Sequence, residues 1–107
     1  MAQFDVHRNP GRNRADIPFL VVIQSRRFDA SRARIVAALR LGRDPPDDTA
    51  GLTPGFRVES LDVYLDPLQI ASIPTATLGP VIASLAADAS SDRIIAAIEA
   101  VTSRAYG

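Results

Sequence analysis

Apolar and polar side chains alternate near the start of the chain, and a continuous apolar run follows shortly afterwards. On a strand, Phe4 and Val6 would share one face, with His7 on the polar face. Residues 19–23 are apolar throughout, rich in β-branched side chains and short, which predicts a central strand covered on both faces. Turn-forming residues and three arginines predict an exposed basic loop at residues 8–16.

Residues 28–42 fit two structures. Asp29 could cap a helix that carries Val36 on its apolar stripe and stops at Gly42, and local propensity favours this interpretation. Residues 35–39 would also suit a strand, because tertiary context readily overrides a weak local preference. The residues themselves leave both alternatives open.

A loop and the strongest alternation in the chain come next. Residues 42–55 contain three prolines, three glycines and three aspartates, which predicts a loop or mobile flap. Phe56 and Val58 then alternate with polar residues, residues 59–60 suit a turn, and a second alternating segment covers residues 61–66. We expect two strands joined by this turn.

Three prolines follow and exclude a long helix in the middle of the second half. They predict short extended pieces around residues 69–73 and 75–78. The prolines are Pro67, Pro74 and Pro80.

The last segment has helical spacing. Ser90 or Ser91 can accept hydrogen bonds from the free amides of a first turn, and Asp92 suits the positive end of the helix dipole. The spacing predicts an amphipathic helix from about Ser91 to Arg104. Its apolar positions are Ile94, Ile95, Ile98, Val101 and Ala105.

Length and composition fit one small globular domain over residues 1–107, with 47% hydrophobic and 22% charged residues. Twelve basic and twelve acidic residues cancel, so no overall field favours nucleic acid or a membrane surface. Residues 1–43 nevertheless hold nine arginines against three aspartates. This asymmetry indicates either an acidic partner or pairing within the chain or across a dimer.

Several classes of site are excluded or disfavoured. The absence of cysteine excludes disulfides, thiolate zinc sites and cysteine nucleophiles. One histidine and two glutamates leave little material for a metal site, and Asp44, Asp47 and Asp48 lack the spacing of a calcium loop. We therefore expect no metal and no cofactor. The sequence has neither a signal peptide nor a membrane span, so a cytoplasmic location is expected.

Catalytic candidates are few. His7 is the only histidine, and a lone histidine on the polar face of a strand is more often a surface or cross-strand residue than a catalyst. Neither a Ser-His-Asp pattern nor a glycine-rich phosphate loop can be assembled. Arginines of the basic loop could contact a phosphate backbone, but few aromatic stacking partners lie near them, which favours a solvated hairpin. They are Arg8, Arg12 and Arg14.

Five segments, in the same order and approximate spacing, resemble the CcdB toxins over nearly the whole chain, from Gln3 to about Val101. The most telling are the strand that ends in Gln24-Ser25 and the Ser-Ile-Pro tripeptide at residues 72–74. The segments are residues 3–6, 19–25, 33–39, 71–74 and 94–98.

This resemblance implies a mainly β (α+β) fold: a small SH3-like antiparallel barrel with an additional small β-sheet wing and a C-terminal α-helix, assembled as a homodimer. It makes residues 34–39 a strand. It also implies the toxin component of a type II toxin–antitoxin system, which poisons DNA gyrase by binding its A subunit and trapping the cleavage complex. A CcdA-like antitoxin with a disordered tail neutralises such toxins. The mechanism needs no catalytic residue, so the chain is not expected to be an enzyme or to bind a nucleic-acid sequence alone.

In the family, gyrase contact involves the end of the terminal helix and the loop after Gln-Ser. The gyrase-binding residues that the resemblance implies here are Phe28, Arg104, Ala105, Tyr106 and Gly107. The last four also place an aromatic ring and a carboxylate at an exposed end, which is typical of partner contact.

Both regions depart from the family's pattern. Without gaps, Arg104 and Ala105 stand where the family has a Gly-Ile pair; with a short insertion, Tyr106 and Gly107 take the aromatic and glycine places and the final aliphatic residue is missing. In the loop, residues 26–27 are arginines where the family has an acid and an aliphatic residue. A changed contact residue can cost several kcal/mol of affinity.

Two other functions stay open. The same general barrel serves the MazF/Kid endoribonuclease toxins, in which case Arg34, Arg57 or His7 would act on RNA. Alternatively, the chain is a non-toxic homologue that keeps only dimer and antitoxin binding.

Overall fold

Six strands and one helix make up the fold in this computed structural model, which describes residues 2–42 and 52–103. Two short 3-10 turns, Arg26–Phe28 and Thr75–Thr77, connect strands that are consecutive in the chain. The strands and the helix are β1 (Asp5–Arg8), β2 (Phe19–Val22), β3 (Ala33–Leu41), β4 (Gly55–Val58), β5 (Leu61–Pro74), β6 (Val81–Ser84) and α1 (Asp88–Thr102). Most of the flap predicted at residues 42–55 lies outside the described residues.

The six strands form a single antiparallel sheet in the order β4-β5-β3-β2-β1-β6, which curls into a nearly closed barrel. The mainly β fold with a C-terminal helix is confirmed. Among the described strands the small additional sheet is continuous with the barrel, because β4 and the first part of β5 extend the same sheet beyond β3.

Two apolar clusters cover the two faces of the sheet. Phe19 and Val21 of β2 lie in the barrel interior, whereas Leu20 and Val22 lie in a cluster on the outer face. All four positions of β2 are buried between β1 and β3. The predicted central strand is confirmed, and each of these side chains contributes about 1.5–3 kcal/mol by its burial.

The segment whose sequence fits either a helix or a strand, residues 28–42, contains strand β3. In β3, Ala37 and Leu39 face the barrel interior, while Val36 and Ala38 face the outer cluster. β3 pairs with β2 on one side and β5 on the other. The helix that local propensity favours is wrong because pairing on both sides and burial on both faces outweigh a preference of a few tenths of a kcal/mol per residue. The strand implied by the family resemblance is confirmed.

β5 corrects the expectation of short extended pieces. It runs from Leu61 to Pro74 because the register against β3 jumps from Asp66 to Ile70. Pro67 falls inside this bulge, where its missing N–H removes no bond to β3. Residues 75–77, predicted to be extended, form a 3-10 turn.

The hairpin between β4 and β5 confirms the predicted turn. Its two central residues have positive φ angles, 48° at Glu59 and 67° at Ser60. Positive φ at both positions is the geometry of a type I′ turn, whose twist matches that of the flanking strands. Neither residue is glycine, so the turn carries backbone strain.

Helix α1 begins at Asp88, three residues before the predicted start, and has no side-chain cap. The N–H groups of Ser90 and Ser91 donate to the Ala87 carbonyl oxygen, both at 2.9 Å, so neither serine is the cap. The predicted apolar face is confirmed at Ile94, which is buried in the barrel interior. No helix of the described part of the chain combines the length and apolarity needed to cross a bilayer.

Candidate partner-binding site

The loop between β2 and β3 holds a large apolar side chain in water. Phe28 ends the 3-10 turn and is 60% exposed. The turn is well ordered by its own bonds: Ser25 Oγ accepts from the Arg27 N–H at 3.3 Å, and the Phe28 N–H donates to the Ser25 carbonyl at 3.0 Å. The ring is therefore presented on a defined backbone.

Gln24 ties the two ends of this loop together. Its Nε2 donates to the Phe28 carbonyl at 3.0 Å and to the Ala33 carbonyl at 3.4 Å. Its Oε1 accepts from the Ile35 N–H at 3.1 Å. One amide side chain thus satisfies backbone groups on both sides of the turn, which gives a physical reason for the Gln-Ser pair at the end of β2.

Arg34 binds the backbone of the same loop, and it is buried. Its Nη1 donates to the carbonyls of Ser31 at 2.6 Å and Ala33 at 3.2 Å, and its Nη2 donates to the Asp29 carbonyl. The guanidinium is therefore committed to the backbone of the loop. Its proposed contact with RNA would require these bonds to break.

A groove opens beside Phe28, which we call the Phe28 groove. It has a volume of about 450 Å³. Its floor is formed by β3 and β5, on the face that points into the barrel interior further along these strands. At this end of the strands the face is exposed. Its lining residues are Gln24, Ser25, Phe28, Ser31, Ala33, Ile35 and Ser72.

Three arginines surround the loop. Arg26, Arg27 and Arg32 are exposed and pair with none of the described residues. The surface around Phe28 therefore combines one aromatic ring with unneutralised positive charge, a composition suited to an acidic protein surface with an apolar pocket.

The helix approaches the same side of the molecule. Ile23, directly before Gln24, lines a second, smaller groove together with Ile95, Ile98 and Glu99 of α1. The C-terminal half of the helix thus lies next to the end of β2, and its last hydrogen bond runs from the Ser103 N–H to the Glu99 carbonyl. The predicted contact residues Arg104, Ala105, Tyr106 and Gly107 lie outside the described residues.

Two of the ribonuclease candidates pair with opposite ends of β5. Arg34 pairs with Ile73 and Arg57 with Asp62. Arg57 is exposed and forms an ion pair with Asp62 at 3.3 Å. The described residues therefore bring these two arginines into no common site.

Of the two structural alternatives for His7, the surface residue is wrong, whereas the cross-strand position is confirmed by its pairing with Leu20 and Val81. His7 is fully buried: β1 is paired with β2 on one side and β6 on the other, and the turn before β6 contacts the His7 ring. Its Nδ1 lies 2.9 Å from the Gly79 carbonyl oxygen, to which only a protonated Nδ1 can donate. Its Nε2 has no hydrogen-bond partner among the described residues.

The basic loop is exposed, as predicted, but its arginines differ in their ion pairing. Arg8 pairs with Glu59 at 2.6 Å, whereas Arg12 and Arg14 pair with no described residue. The loose aspartate cluster at residues 44–48 lies outside the described residues, and elsewhere no group of histidine, aspartate and glutamate side chains is arranged to hold a metal ion.

Comparison with known proteins decides the family. The model of the CcdB protein family matches residues 3–103. This chain belongs to the CcdB family. Two solved structures share its fold: an endoribonuclease in complex with its cognate antitoxin from a mycobacterial species, with a TM-score of 0.72 and 13% identity over 97% of this chain and 96% of that one, and a mycobacterial endoribonuclease with a TM-score of 0.67 and 15% identity over 95% of this chain and 90% of that one. No sequence among curated proteins matches the chain.

Membership of the CcdB family supports a toxin of a toxin–antitoxin pair. The sequence signal that located Phe28 was the Gln-Ser pair before it. Reasoning from sequence missed the supporting role of Gln24 and assigned Arg34 to a different use, because backbone carbonyls as hydrogen-bond partners leave no trace in the residue pattern.

Proposed function

We propose that this CcdB-family protein is a toxin that acts by binding the A subunit of DNA gyrase and stabilising its cleavage complex with DNA, and that it is not an enzyme. The observation that carries the proposal is Phe28, an exposed aromatic side chain on a loop held by Gln24 and the buried Arg34. Ordering a loop in advance lowers the entropic cost of binding, and aromatic anchors dominate many interfaces.

The positions and hydrogen bonds of the candidate catalytic groups favour target binding over RNA cleavage. Arg34 is committed to loop carbonyls, and His7 is fully buried with its Nδ1 on the Gly79 carbonyl. Arg57 lies at the far end of β5 from Arg34. The two endoribonucleases that share the fold are 13% and 15% identical, a likeness that concerns architecture. RNA cleavage is the second candidate, and the experiment below includes it.

The proposed target surface has two parts. The first is Phe28 with its groove, and the second is the segment Arg104, Ala105, Tyr106 and Gly107 that follows α1. The proximity of Ile98 to Ile23 supports a single surface, since the helix ends on the side where the β2–β3 loop begins. Stabilising one conformation of gyrase in this way is a population shift, and it takes place in the cytoplasm.

The proposed partners are a CcdA-like antitoxin and a second copy of the chain. A cognate antitoxin accompanies one of the structures that share the fold, which supports the first. For the homodimer, we propose a contact through a patch on the neighbouring strands β3 and β5 that includes the exposed apolar residues Ile35, Leu68 and Ile70. Ile35 also lines the Phe28 groove, so a dimer built on this patch brings the target surface to the boundary between the two copies.

The deciding experiment is a gyrase cleavage assay with pure protein, supercoiled DNA, ATP and gyrase from the same organism. We expect linear DNA that appears only after detergent and protease treatment. Phe28→Glu should abolish it, whereas Leu61→Glu, at another exposed apolar position, should not. Absence of linear DNA with folded wild-type protein would overturn the proposal. RNA cleavage by the pure protein without gyrase would favour the second candidate, and normal growth on induction would favour a non-toxic homologue.

A further inference from the structure

A pocket lies between the basic loop and the hairpin of β4 and β5, in a part of the barrel that the proposed function does not use. We call it the Arg14 pocket, and its volume is about 250 Å³. Two of its lining residues are arginines and none is acidic. The lining residues are Arg8, Asn9, Arg14, Pro18, Phe19 and Leu61.

The Asn9 side chain fixes the loop that carries Arg14. Its Nδ2 donates to Asn13 Oδ1 and to the Ile17 carbonyl, both at 2.8 Å. Its Oδ1 accepts from the Gly11 N–H at 2.9 Å. Because the Asn9 amide is fully used inside the loop, the donors that remain for a ligand of the pocket belong to its two arginines.

The charges of these two arginines are mostly free. Arg14 is exposed and pairs with no described residue. Arg8 pairs with Glu59 through Nη2, at 2.6 Å to Oε1 and 2.9 Å to Oε2, so its Nε and Nη1 keep their donors. Asp16, the acid nearest to Arg14 in sequence, is bound to Arg40. The pocket thus holds two guanidinium groups with one carboxylate, that of Glu59, to offset them.

The opposite wall of the pocket follows a strained turn. Glu59 and Ser60 have φ angles of 48° and 67°, in the left-handed region that favours glycine. Strained positions of this kind cluster where a protein clamps a ligand. The ion pair between Glu59 and Arg8 joins the turn to the basic loop, and Leu61 directly after the turn lines the pocket. Both walls are therefore held in place around the arginines.

We propose that the Arg14 pocket binds a phosphate group, whose oxygens contact the guanidinium groups of Arg14 and Arg8. The sugar attached to this phosphate lies against Pro18 and Leu61. Guanidinium groups match phosphate oxygens in charge and in planar geometry. A sugar phosphate fits better than a base, because the pocket is small and its aromatic residue, Phe19, is buried and offers no stacking face. A free sugar phosphate and a nucleic-acid backbone share this chemistry, and the experiment separates them.

An NMR titration of the full-length protein with ribose 5-phosphate tests the proposal. We expect saturable shifts of the amide signals of the basic loop, with weaker binding at higher salt. Arg14→Met should lower the affinity about tenfold or more. Arg12→Met is the matched control, since Arg12 is also exposed and unpaired among the described residues but does not line the pocket. Glu59→Gln should raise the affinity, because it removes the carboxylate that competes for Arg8.

The ligand controls are ribose without phosphate, which should leave the signals in place, and a short DNA duplex. Unchanged spectra with ribose 5-phosphate, equal shifts with ribose, or an equal loss of affinity in Arg12→Met would overturn the inference. Duplex binding that is tighter than that of ribose 5-phosphate and is lost in Arg14→Met would assign the pocket to a nucleic-acid backbone. Weaker duplex binding would assign it to a free sugar phosphate, and both results support a phosphate site.

The phosphate site and the gyrase target can fail independently. Leu61→Glu places a carboxylate at the pocket, so it should abolish phosphate binding and keep gyrase cleavage. Phe28→Glu should do the reverse. If ribose 5-phosphate binds as expected and no linear DNA forms with the wild type, the Arg14 pocket stands and the gyrase target does not.

Discussion

The buried guanidinium of Arg34 donates a 2.6 Å hydrogen bond to the carbonyl oxygen of Ser31. This bond fixes the loop that exposes Phe28. Arg34→Met should lower the free energy of unfolding by about 2–4 kcal/mol, because it removes the charged donor from three partly buried loop carbonyls. Urea denaturation measures this change.

The control is Arg32→Met, at an exposed and unpaired arginine two positions away, where we expect a change within about 0.5 kcal/mol. A small effect of Arg34→Met together with a large loss of RNA cleavage would contradict the loop-holding role and make Arg34 a catalytic residue.

Arg40 joins the basic loop to the bulge in β5, since its Nε donates to Asp66 at 2.8 Å and its Nη1 contacts Asp16. The hydrogen bond to Asp66 raises the pKa of Arg40, with burial opposing it and the charge of Asp16 adding to it. A raised pKa stabilises the folded state at every pH below the ordinary range of arginine, and this contribution fades only as the pH rises through the raised value.

Arg40→Met should therefore cost about 1 kcal/mol, by the same amount at neutral and at mildly alkaline pH. Thermal or urea unfolding of both proteins at the two pH values checks this. Arg57→Met, which removes a more exposed ion pair, is the matched control and should have a smaller effect. A cost that vanishes at mildly alkaline pH would be inconsistent with the raised pKa.

The turn between β4 and β5 should accept glycine. Ser60 has a φ of 67°, which glycine adopts without steric cost. Ser60→Gly should raise the free energy of unfolding by up to about 1 kcal/mol, since relief of strain exceeds the added entropy of the unfolded chain. Gly79→Ala, in open space at an ordinary φ, is a control for glycine content. A lower denaturation midpoint for Ser60→Gly would mean that the turn is not strained.

His7 should behave as a core residue. Its full burial and its bond to Gly79 predict that His7→Ala loses about 2–4 kcal/mol of stability through a cavity and an unpaired carbonyl. Any loss of growth arrest should follow the fraction of unfolded protein. If His7→Ala kept the wild-type denaturation midpoint and still lost activity, His7 would have a direct role in the chemistry.

The sequence predicted correctly those structural elements whose signals lie within a few neighbouring residues. β2 and the β4–β5 hairpin were predictable because period-two alternation and turn residues act within a few positions. β3 was not decided by its own residues, because its structure comes from pairing with β2 and β5, which are distant in sequence. The resemblance to the CcdB family supplied that information.

The residues of the candidate site also divide into those with a local sequence signal and those without one. Phe28 was identified from its place after Gln24-Ser25, whereas the use of Arg34 could not be seen, since it bonds to carbonyls that every residue has. The burial of His7 depends on β6, a strand without a sequence signal strong enough to predict it.

Leu68 is the most direct test of the proposed dimer. It lies in the bulge of β5 and is 79% exposed, two positions before Ile70, which pairs with Ala37 of β3. The proposed interface would bury this exposed apolar side chain, so a charge in its place should cost several kcal/mol of association. We expect sedimentation equilibrium to give about twice 11.5 kDa for the wild type and about 11.5 kDa for Leu68→Glu. Val81→Glu, at an exposed apolar residue on β6, should leave the dimer intact. A wild-type monomer at micromolar concentration would refute the dimer, and a dimer that survives Leu68→Glu would place its interface elsewhere.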